Sequence, residues 1–185
     1  ATLLVETETF ADKGGWVVDQ QFMDQMGSPF LMAHGLGTPV ADASTTVEVP
    51  ESGTYRVLAR TRNWAALWTQ KDAPGKFKIN VNGAPLPAVL GTHGNEWAWQ
   101  EAGHVRLEKG PARLALHDLT GFNGRCDALI LTTDAGFTPE NEVSKLESYR
   151  RSVGAIKASQ RTEAVDLIIA GGGIPGVCMA IAAAR

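Results

Sequence analysis

The sequence predicts a mainly β protein: a β-sandwich or jelly roll, then a helical linker, then a short βα unit. Short alternating segments separated by turn residues fill residues 1–134, a pattern typical of antiparallel sandwiches. Helical periodicity among charged residues follows over 135–162, and 163–185 holds an apolar run with a glycine-rich turn. We therefore expect three segments with these bounds.

The first segment contains seven predicted strands bounded by Gly, Pro, Asn and Asp. They are residues 3–10, 45–49, 54–63, 76–81, 97–107, 112–117 and 126–132. In the strand 54–63 an apolar set should point inward and an arginine set outward: Tyr55, Val57 and Ala59 against Arg56, Arg60 and Arg62. The stretch 19–42 has weak periodicity and is predicted as a loop excursion.

The second and third segments begin after Pro139, which stands at a helix-start position. One or two connecting helices are predicted over 140–161. The continuous apolar run 165–170 then predicts a buried parallel strand. A glycine-rich turn follows it and opens a predicted helix over 177–185.

Composition excludes some classes of partner. The net charge is −3 and the pI about 5.8, so no basic field attracts a nucleic acid. No apolar run approaches the ~20 residues that span a bilayer. Cys126 and Cys178 fall in different segments and predict no disulfide framework. The chain begins with Ala1 rather than Met, so we expect a processed or partial chain that is secreted or periplasmic.

The glycine-rich turn carries a G-x-G-x-x-G motif at Gly171, Gly173 and Gly176. Its position between a strand and a helix suits a pyrophosphate, because Gly171 allows the turn, Gly173 the close approach and Gly176 helix–strand packing. A glycine-rich turn without a ligand is the alternative.

The run VDLIIAGGGIPGVCMAIAAAR resembles the N-terminal FAD-binding segment of FAD-dependent oxidoreductases. The resemblance implies FAD as the cofactor and the rest of an oxidoreductase domain as the partner of this segment. The acidic ribose ligand is expected about 20 residues beyond the glycines, whereas the sequence stops at Arg185. We therefore expect a truncated site that does not hold FAD tightly.

The first segment resembles the galactose-binding-like jelly rolls used as carbohydrate-binding modules, through VETETF with GGWVVD, ESGTYRVLARTRNW and RCDALILTT. The string LHDLTGFNGRCDALILTTD also resembles the N-terminal β domain of some bacterial FAD-dependent oxidoreductases. The resemblance to the modules implies a structural calcium where the first and last strands meet, at Glu6, Glu8 and Asp127. A solvated strand face is the alternative for the two glutamates.

Sugar recognition requires aromatic faces that stack on the apolar faces of sugar rings. Trp64 and Trp68 lie near a strand end and in a loop, and we predict that they bind carbohydrate. Trp97 and Trp99 share a face by their spacing of two. Core packing is the alternative role for all four tryptophans. For the outward arginines, contact with an acidic ligand is one interpretation and a solvated strand face is the alternative.

No catalytic constellation emerges from the sequence: the four histidines lack metal-ligand spacing, and no nucleophile signature is present. The sequence therefore favours the N-terminal portion of an FAD-dependent oxidoreductase, whose β domain binds carbohydrate or acts as a scaffold. The alternative is a stand-alone, non-catalytic carbohydrate-binding module.

Overall fold

A computed structural model describes residues 1–69, 73–155 and 164–184. Within these ranges the strands are β1 (Thr2–Glu6), β2 (Trp16–Asp19), β3 (Phe30–His34), β4 (Ala43–Val49), β5 (Gly53–Thr61), β6 (Phe77–Val81), β7 (Ala84–Pro85), β8 (Ala98–Leu107), β9 (Gly110–Asp118) and β10 (Phe122–Thr132). The helices are α1 (Met23–Met26), α2 (Val143–Ser152) and α3 (Ile174–Ala183), with a 3₁₀ turn at Thr7–Thr9.

The strands form two antiparallel sheets that face each other as a β-sandwich, as predicted. Sheet A has the order β2-β3-β10-β5-β8, and sheet B has the order β4-β9-β6-β7. The long strand β10 pairs with β3 through its first half and with β1 through its second. The sequence Lys109-Gly110 suggests a hairpin between β8 and β9, but the turn there carries the chain from sheet A to sheet B, so the two strands do not pair.

The core between the sheets is built from the alternating inward residues of both. Tyr55, Val57 and Ala59 are fully buried as predicted, and Phe77 and Ile79 face them from sheet B. Burying one such large side chain stabilises a fold by about 1.5–3 kcal/mol relative to leaving it exposed. This core holds the strands whose ends carry the site described below.

The prediction of a loop over 19–42 is wrong in part. Strand β3 lies in that stretch and pairs with both β2 and β10, and α1 precedes it. Phe30, Leu31 and Ala33 are all fully buried, because β3 is covered on both faces. A strand buried on both faces does not alternate between apolar and polar residues, so periodicity could not reveal it.

A second apolar cluster covers the outer face of sheet A. Met26, Phe30 and Trp97 are buried there, with Phe22 and Met32 packed against them. The rings of Phe30 and Trp97 meet edge to face at 5.0 Å between centroids. The stretch around α1 therefore forms a partial third layer over the sandwich.

The predicted linker helix is present as α2 and is docked rather than free. Leu146 and Arg150 are both fully buried, and their spacing of four places them on the same face of the helix. Glu142 caps the helix by accepting a hydrogen bond from the Ser144 amide. The predicted linker from residue 156 onward lies outside the described residues.

The predicted strand over 165–170 is not formed. The described residues from 164 to 173 contain no strand, and Val165, Leu167 and Ile168 are more than half exposed. A parallel strand needs neighbouring strands to satisfy its backbone groups, and none in the described part of the chain pairs with this segment. The helix that follows is formed, as α3, and the end of its predicted range at Arg185 lies outside the described residues.

Candidate functional site

One end of the sandwich gathers the loops that carry exposed aromatic side chains. Strand β3 ends at His34, β5 at Thr61 and β9 at Asp118, while β10 begins at Phe122. The strand register pairs Phe122 with His34 and Asp118 with Phe77. The loops that follow β3, β5 and β9 therefore lie next to one another.

An aromatic surface, defined here as Trp64, Leu67, Trp68 and Phe122, occupies this end. The rings of Trp64 and Phe122 stack with centroids 5.8 Å apart and an interplanar angle of 22°, and Trp68 lies 6.2 Å from Trp64 at 57°. Trp68 is 75% exposed, Leu67 66% and Phe122 44%. The structure thus brings the two predicted sugar-binding tryptophans together.

Phe122 belongs to the surface but was not predicted from the sequence. It follows a Gly in a turn, where an aromatic residue carries no periodic signal, and only the pairing of β10 with β5, which ends just before Trp64, places it beside that residue. The Trp64 indole Nε1 donates to the Phe122 carbonyl oxygen at 3.0 Å. That hydrogen bond fixes the two rings in relation to each other.

Buried Asp118 holds the loops under this surface. Its carboxylate accepts hydrogen bonds from the amides of Val40, Thr120 and Gly121 at 2.8–3.1 Å. A Cβ at Gly121 would lie 1.9 Å from the Thr38 carbonyl oxygen, and its φ is +64°, so only glycine fits. The loops after β3 and β9 are therefore locked together, which lowers the entropy cost of binding.

Leu36 lies in one of these loops with a strained backbone. Its φ is +52° and its side chain is 82% exposed. A left-handed conformation costs an L-residue roughly 1–2 kcal/mol, and such strain tends to concentrate at functional sites. His34 Nδ1 and the side-chain oxygen of Asn123, 2.8 Å apart, supply polar groups nearby.

Trp97 and Trp99 do not belong to the aromatic surface. Trp97 is 4% exposed and packs in the second apolar cluster. Trp99 is half-buried, and its Nε1 donates to the Glu140 carbonyl oxygen at 2.9 Å. Both rings therefore serve packing.

The outward row of arginines on β5 is not a fully solvated face either, because Arg60 is 1% exposed.

Arg62 and Arg125 lie between the second apolar cluster and the aromatic surface. The Arg62 guanidinium lies 5.0 Å from the centre of the Phe22 ring, and that of Arg125 lies 5.4 Å from the same ring and 5.8 Å from Trp64. Burial, and then the charge of Arg62, lower the pKa of Arg125 to about 10. The Arg125 guanidinium therefore remains charged at pH 7.

The predicted calcium ligands lie close together, but around a guanidinium. Arg150 donates from Nε to Glu6 at 2.6 Å and from Nη2 to both oxygens of Asp127 at 3.0–3.1 Å. Arg60 donates to Asp127 at 2.9 Å, as does Ser28 at 2.8 Å. The charges of two buried carboxylates are thus matched by those of two arginines.

Glu8, the third predicted ligand, is half-buried and lacks a partner for Oε2 among the described residues. Burial, followed by the charge of Glu6, raises its pKa to about 8. The described residues contain no group of three or more His, Cys, Asp or Glu that could hold a metal ion. Calcium therefore stays a prediction of the sequence, and the contacts of Glu6 and Asp127 fit Arg150 rather than a bare cation.

A cavity of about 400 Å³ lies away from the aromatic surface. Its walls come from β1 and β4 and from the chain just after α2, and they include Leu3, Val5, Val47 and Ala155. It contains neither an aromatic ring nor a residue of the aromatic surface. Because sugar sites rely on aromatic faces, we place the candidate site at the loop end instead.

The three motif glycines lie before and in the first turn of α3, without the preceding strand that the motif was expected to follow. Gly171 has a φ of +116°, and a Cβ at Gly176 would lie 2.1 Å from the Gly171 carbonyl oxygen. At Gly173, which caps α3, the nearest atom to such a Cβ is Pro175 Cδ at 3.8 Å. The turn is therefore tightly packed between Gly171 and Gly176 and open at Gly173.

No helix among the described residues is long and apolar enough to cross a membrane. Cys126 is buried and Cys178 exposed, and both are free thiols.

Comparison with solved structures defines the class of fold. A family 35 carbohydrate-binding module from Clostridium thermocellum matches with a TM-score of 0.56 and 15% identity, covering 72% of this chain and 99% of the module. The Podospora anserina GH26-CBM35 β-(1,4)-mannanase matches at 0.57 and 19%, over 82% of this chain and 34% of the enzyme.

A family 6 module from a Zobellia galactanivorans laminarinase matches at 0.52 and 16%, over 71% of this chain and 99% of that chain. No protein-family model and no curated protein matches this sequence. The β domain therefore has the jelly-roll fold of carbohydrate-binding modules. These matches do not support the flavin-dependent oxidoreductase that the sequence favoured.

Proposed function

We propose that the β domain is a carbohydrate-binding module whose ligand stacks on the aromatic surface. The observation that carries this proposal is Trp68, whose ring is 75% exposed beside the stacked pair of Trp64 and Phe122. An exposed indole lowers the solubility of a protein unless a ligand or another protein covers it. Sugar rings present apolar faces that stack on such a ring.

The loops beneath this surface support the proposal. Asp118 ties two loops together, and the Trp64 indole is bonded to the backbone of Phe122, so the rings are held in place before a ligand arrives. The jelly-roll fold is shared with solved modules whose names state that they bind carbohydrate. A secreted or periplasmic location is part of this proposal, since cell-wall polysaccharides lie outside the cytoplasm.

Binding of the protein to a panel of soluble plant, fungal and bacterial polysaccharides, measured by retardation in native gels, tests this proposal. At least one polysaccharide should retard the wild type, and Trp68→Ala should abolish the retardation without changing the melting temperature. Val18→Ala is the control variant. It shortens an exposed apolar side chain on β2, which is 45% exposed, and the variant should bind the polysaccharide as the wild type does. Equal retardation of all three proteins would contradict the proposal.

A second candidate function rests on the glycine-rich turn. We propose that it forms the pyrophosphate end of an FAD site, because the close contact at Gly176 and the open space at Gly173 are what such a turn requires. When bound, the flavin supplies redox chemistry. The role of this chain is to present the backbone amides at the start of α3 to the pyrophosphate.

The flavin test uses the full-length gene product. It should purify with flavin absorbance, and Gly173→Val should remove that absorbance while leaving the β domain folded. A colourless full-length protein that takes up no FAD on reconstitution would contradict the second proposal and leave the first intact.

A further inference from the structure

The hydrogen bonds of the buried Arg150 guanidinium end on oxygen atoms of three residues. Its Nε and Nη2 donate to the two carboxylate oxygens of Glu6, at 2.6 and 3.2 Å. Nη2 also donates to both oxygens of Asp127 at 3.1 and 3.0 Å, and Nη1 donates to the Met26 carbonyl oxygen. Glu6, Asp127 and Arg150 are each at most 6% exposed. Carboxylate and carbonyl oxygens around one buried positive charge are also what a calcium ion requires.

This positive charge comes from outside the sandwich. Glu6 ends β1 and Asp127 lies in β10, whereas Arg150 belongs to α2. Leu146 lies one turn earlier on the same face of α2 and is fully buried, which fixes the helix against the sandwich. The end of α1 at Gly27 covers the guanidinium, since a Cβ there would lie 3.6 Å from Nη1. The fold therefore holds the guanidinium where the first and last strands meet.

The buried carboxylates depend on this charge. Arg60 donates to Asp127 at 2.9 Å, but Glu6 has no cationic partner other than Arg150 among the described residues. Burial, followed by the charge of Glu6, raises the pKa of Glu8 to about 8, and its Oε2 has no partner within the described part of the chain. Because an uncompensated buried carboxylate is strongly unfavourable, a positive charge between these groups is needed for stability.

We propose that the Arg150 guanidinium takes the place of the calcium ion implied by the resemblance to carbohydrate-binding modules, so that α2 makes the sandwich independent of the metal. Removing the guanidinium should then uncover a latent calcium site, formed by the Glu6 and Asp127 carboxylates and the Met26 carbonyl. Glu8 adds a further carboxylate beside Glu6, and water completes the about six to eight oxygens that calcium takes. This inference goes beyond the proposed function and does not depend on it.

The test measures thermal unfolding of the whole chain in EDTA and in calcium, with the ionic strength matched by sodium chloride. The wild type should unfold at the same temperature in both solutions. Arg150→Ala should unfold at a lower temperature in EDTA and regain about 5–10 °C at a calcium concentration roughly 100 times its Kd. Calorimetric titration should show saturable calcium binding to the variant and none to the wild type.

Matched variants separate the replacement of a charge from a general loss of stability. Arg150→Met fills the same space without a charge, so it should be destabilised without responding to calcium. Arg150→Lys keeps a positive charge and should unfold at the same temperature in EDTA and in calcium. Adding Asp127→Asn to Arg150→Ala removes an anionic ligand and should abolish the calcium response.

Three outcomes would overturn the inference. A melting temperature of the wild type that rises with calcium would show that the ion binds in addition to the arginine. Failure of calcium to stabilise Arg150→Ala, or to fold it if it is unfolded in EDTA, would show that the ion cannot replace the guanidinium. Equal calcium responses of the Ala, Met and Lys variants would show that calcium binds elsewhere. None of these outcomes affects the proposed glycan binding.

Discussion

Arg150 donates a hydrogen bond from Nε to Oε1 of Glu6 at 2.6 Å, although the two residues are 144 positions apart. The contact joins the helix after the sandwich to the first strand of the sandwich. Arg150 is fully buried and also donates to Asp127 and to the Met26 carbonyl. The sandwich and α2 therefore form one folded unit, with a buried charge network between them.

Removing the guanidinium should destabilise this unit. Arg150→Ala leaves Glu6 and Asp127 with excess negative charge in a buried place, and breaking such a network by removing one partner costs about 3–5 kcal/mol. We expect a loss of that size in urea unfolding. Arg151→Ala is the matched control, because the exposed pair of Arg151 with Glu147 is worth less than about 1 kcal/mol. Equal effects of the two variants would contradict the network.

Calcium should not stabilise the wild-type domain. Glu6 and Asp127 already bind Arg150 and Arg60, so a cation would have to displace a guanidinium. We expect the melting temperature to be the same in EDTA and in saturating calcium. A rise with calcium that is lost when Glu6, Glu8 and Asp127 are all replaced by Ala would support the sequence prediction and contradict the arginine assignment.

Glu8 should make stability depend on pH. Burial, and then the charge of Glu6, raise its pKa from an ordinary 4.5 to about 8. The folded state therefore holds this proton more tightly than the unfolded state, and the free energy of unfolding falls as the pH rises from 4.5 to 8. Above pH 8 the penalty is complete.

Glu8→Gln removes that titration. The variant should be more stable than the wild type above pH 8, and the difference should vanish below pH 4.5, in urea unfolding measured across this range. Glu48→Gln changes an exposed carboxyl and should follow the wild type. A stability difference between Glu8→Gln and the wild type that does not vary with pH would contradict the raised pKa.

Gly121 tests whether the site loops are rigid. A Cβ there would lie 1.9 Å from the Thr38 carbonyl oxygen at a φ of +64°. Gly121→Ala should therefore cost more than the roughly 1–2 kcal/mol of left-handed strain and weaken glycan binding by moving Phe122. Gly83→Ala has a similar φ of +85° with nothing within 4 Å, and thermal unfolding should show only the strain. Equal losses in both would contradict the close packing of the loops.

The sequence predicted the sandwich because most strands are buried on one face and alternate accordingly. It missed β3, because Phe30, Leu31 and Ala33 are covered on both faces. It identified Trp64 and Trp68 because a tryptophan near a strand end or in a loop can be recognised from the local sequence. Phe122 lies beside them only because strand pairing brings it there. Arg150 was not recognised as the partner of Glu6, since no local pattern links residues so far apart.

The most direct test of glycan binding at the aromatic surface follows the five tryptophan indoles by ¹⁵N-resolved NMR during titration with an oligosaccharide that binds. Each indole N–H gives its own signal, assigned by single substitution. We predict that the signals of Trp64 and Trp68 shift with saturation, while those of buried Trp16 and Trp97 stay in place. Saturable binding that leaves Trp64 and Trp68 unmoved would contradict the proposed site, as would a panel from which no glycan binds.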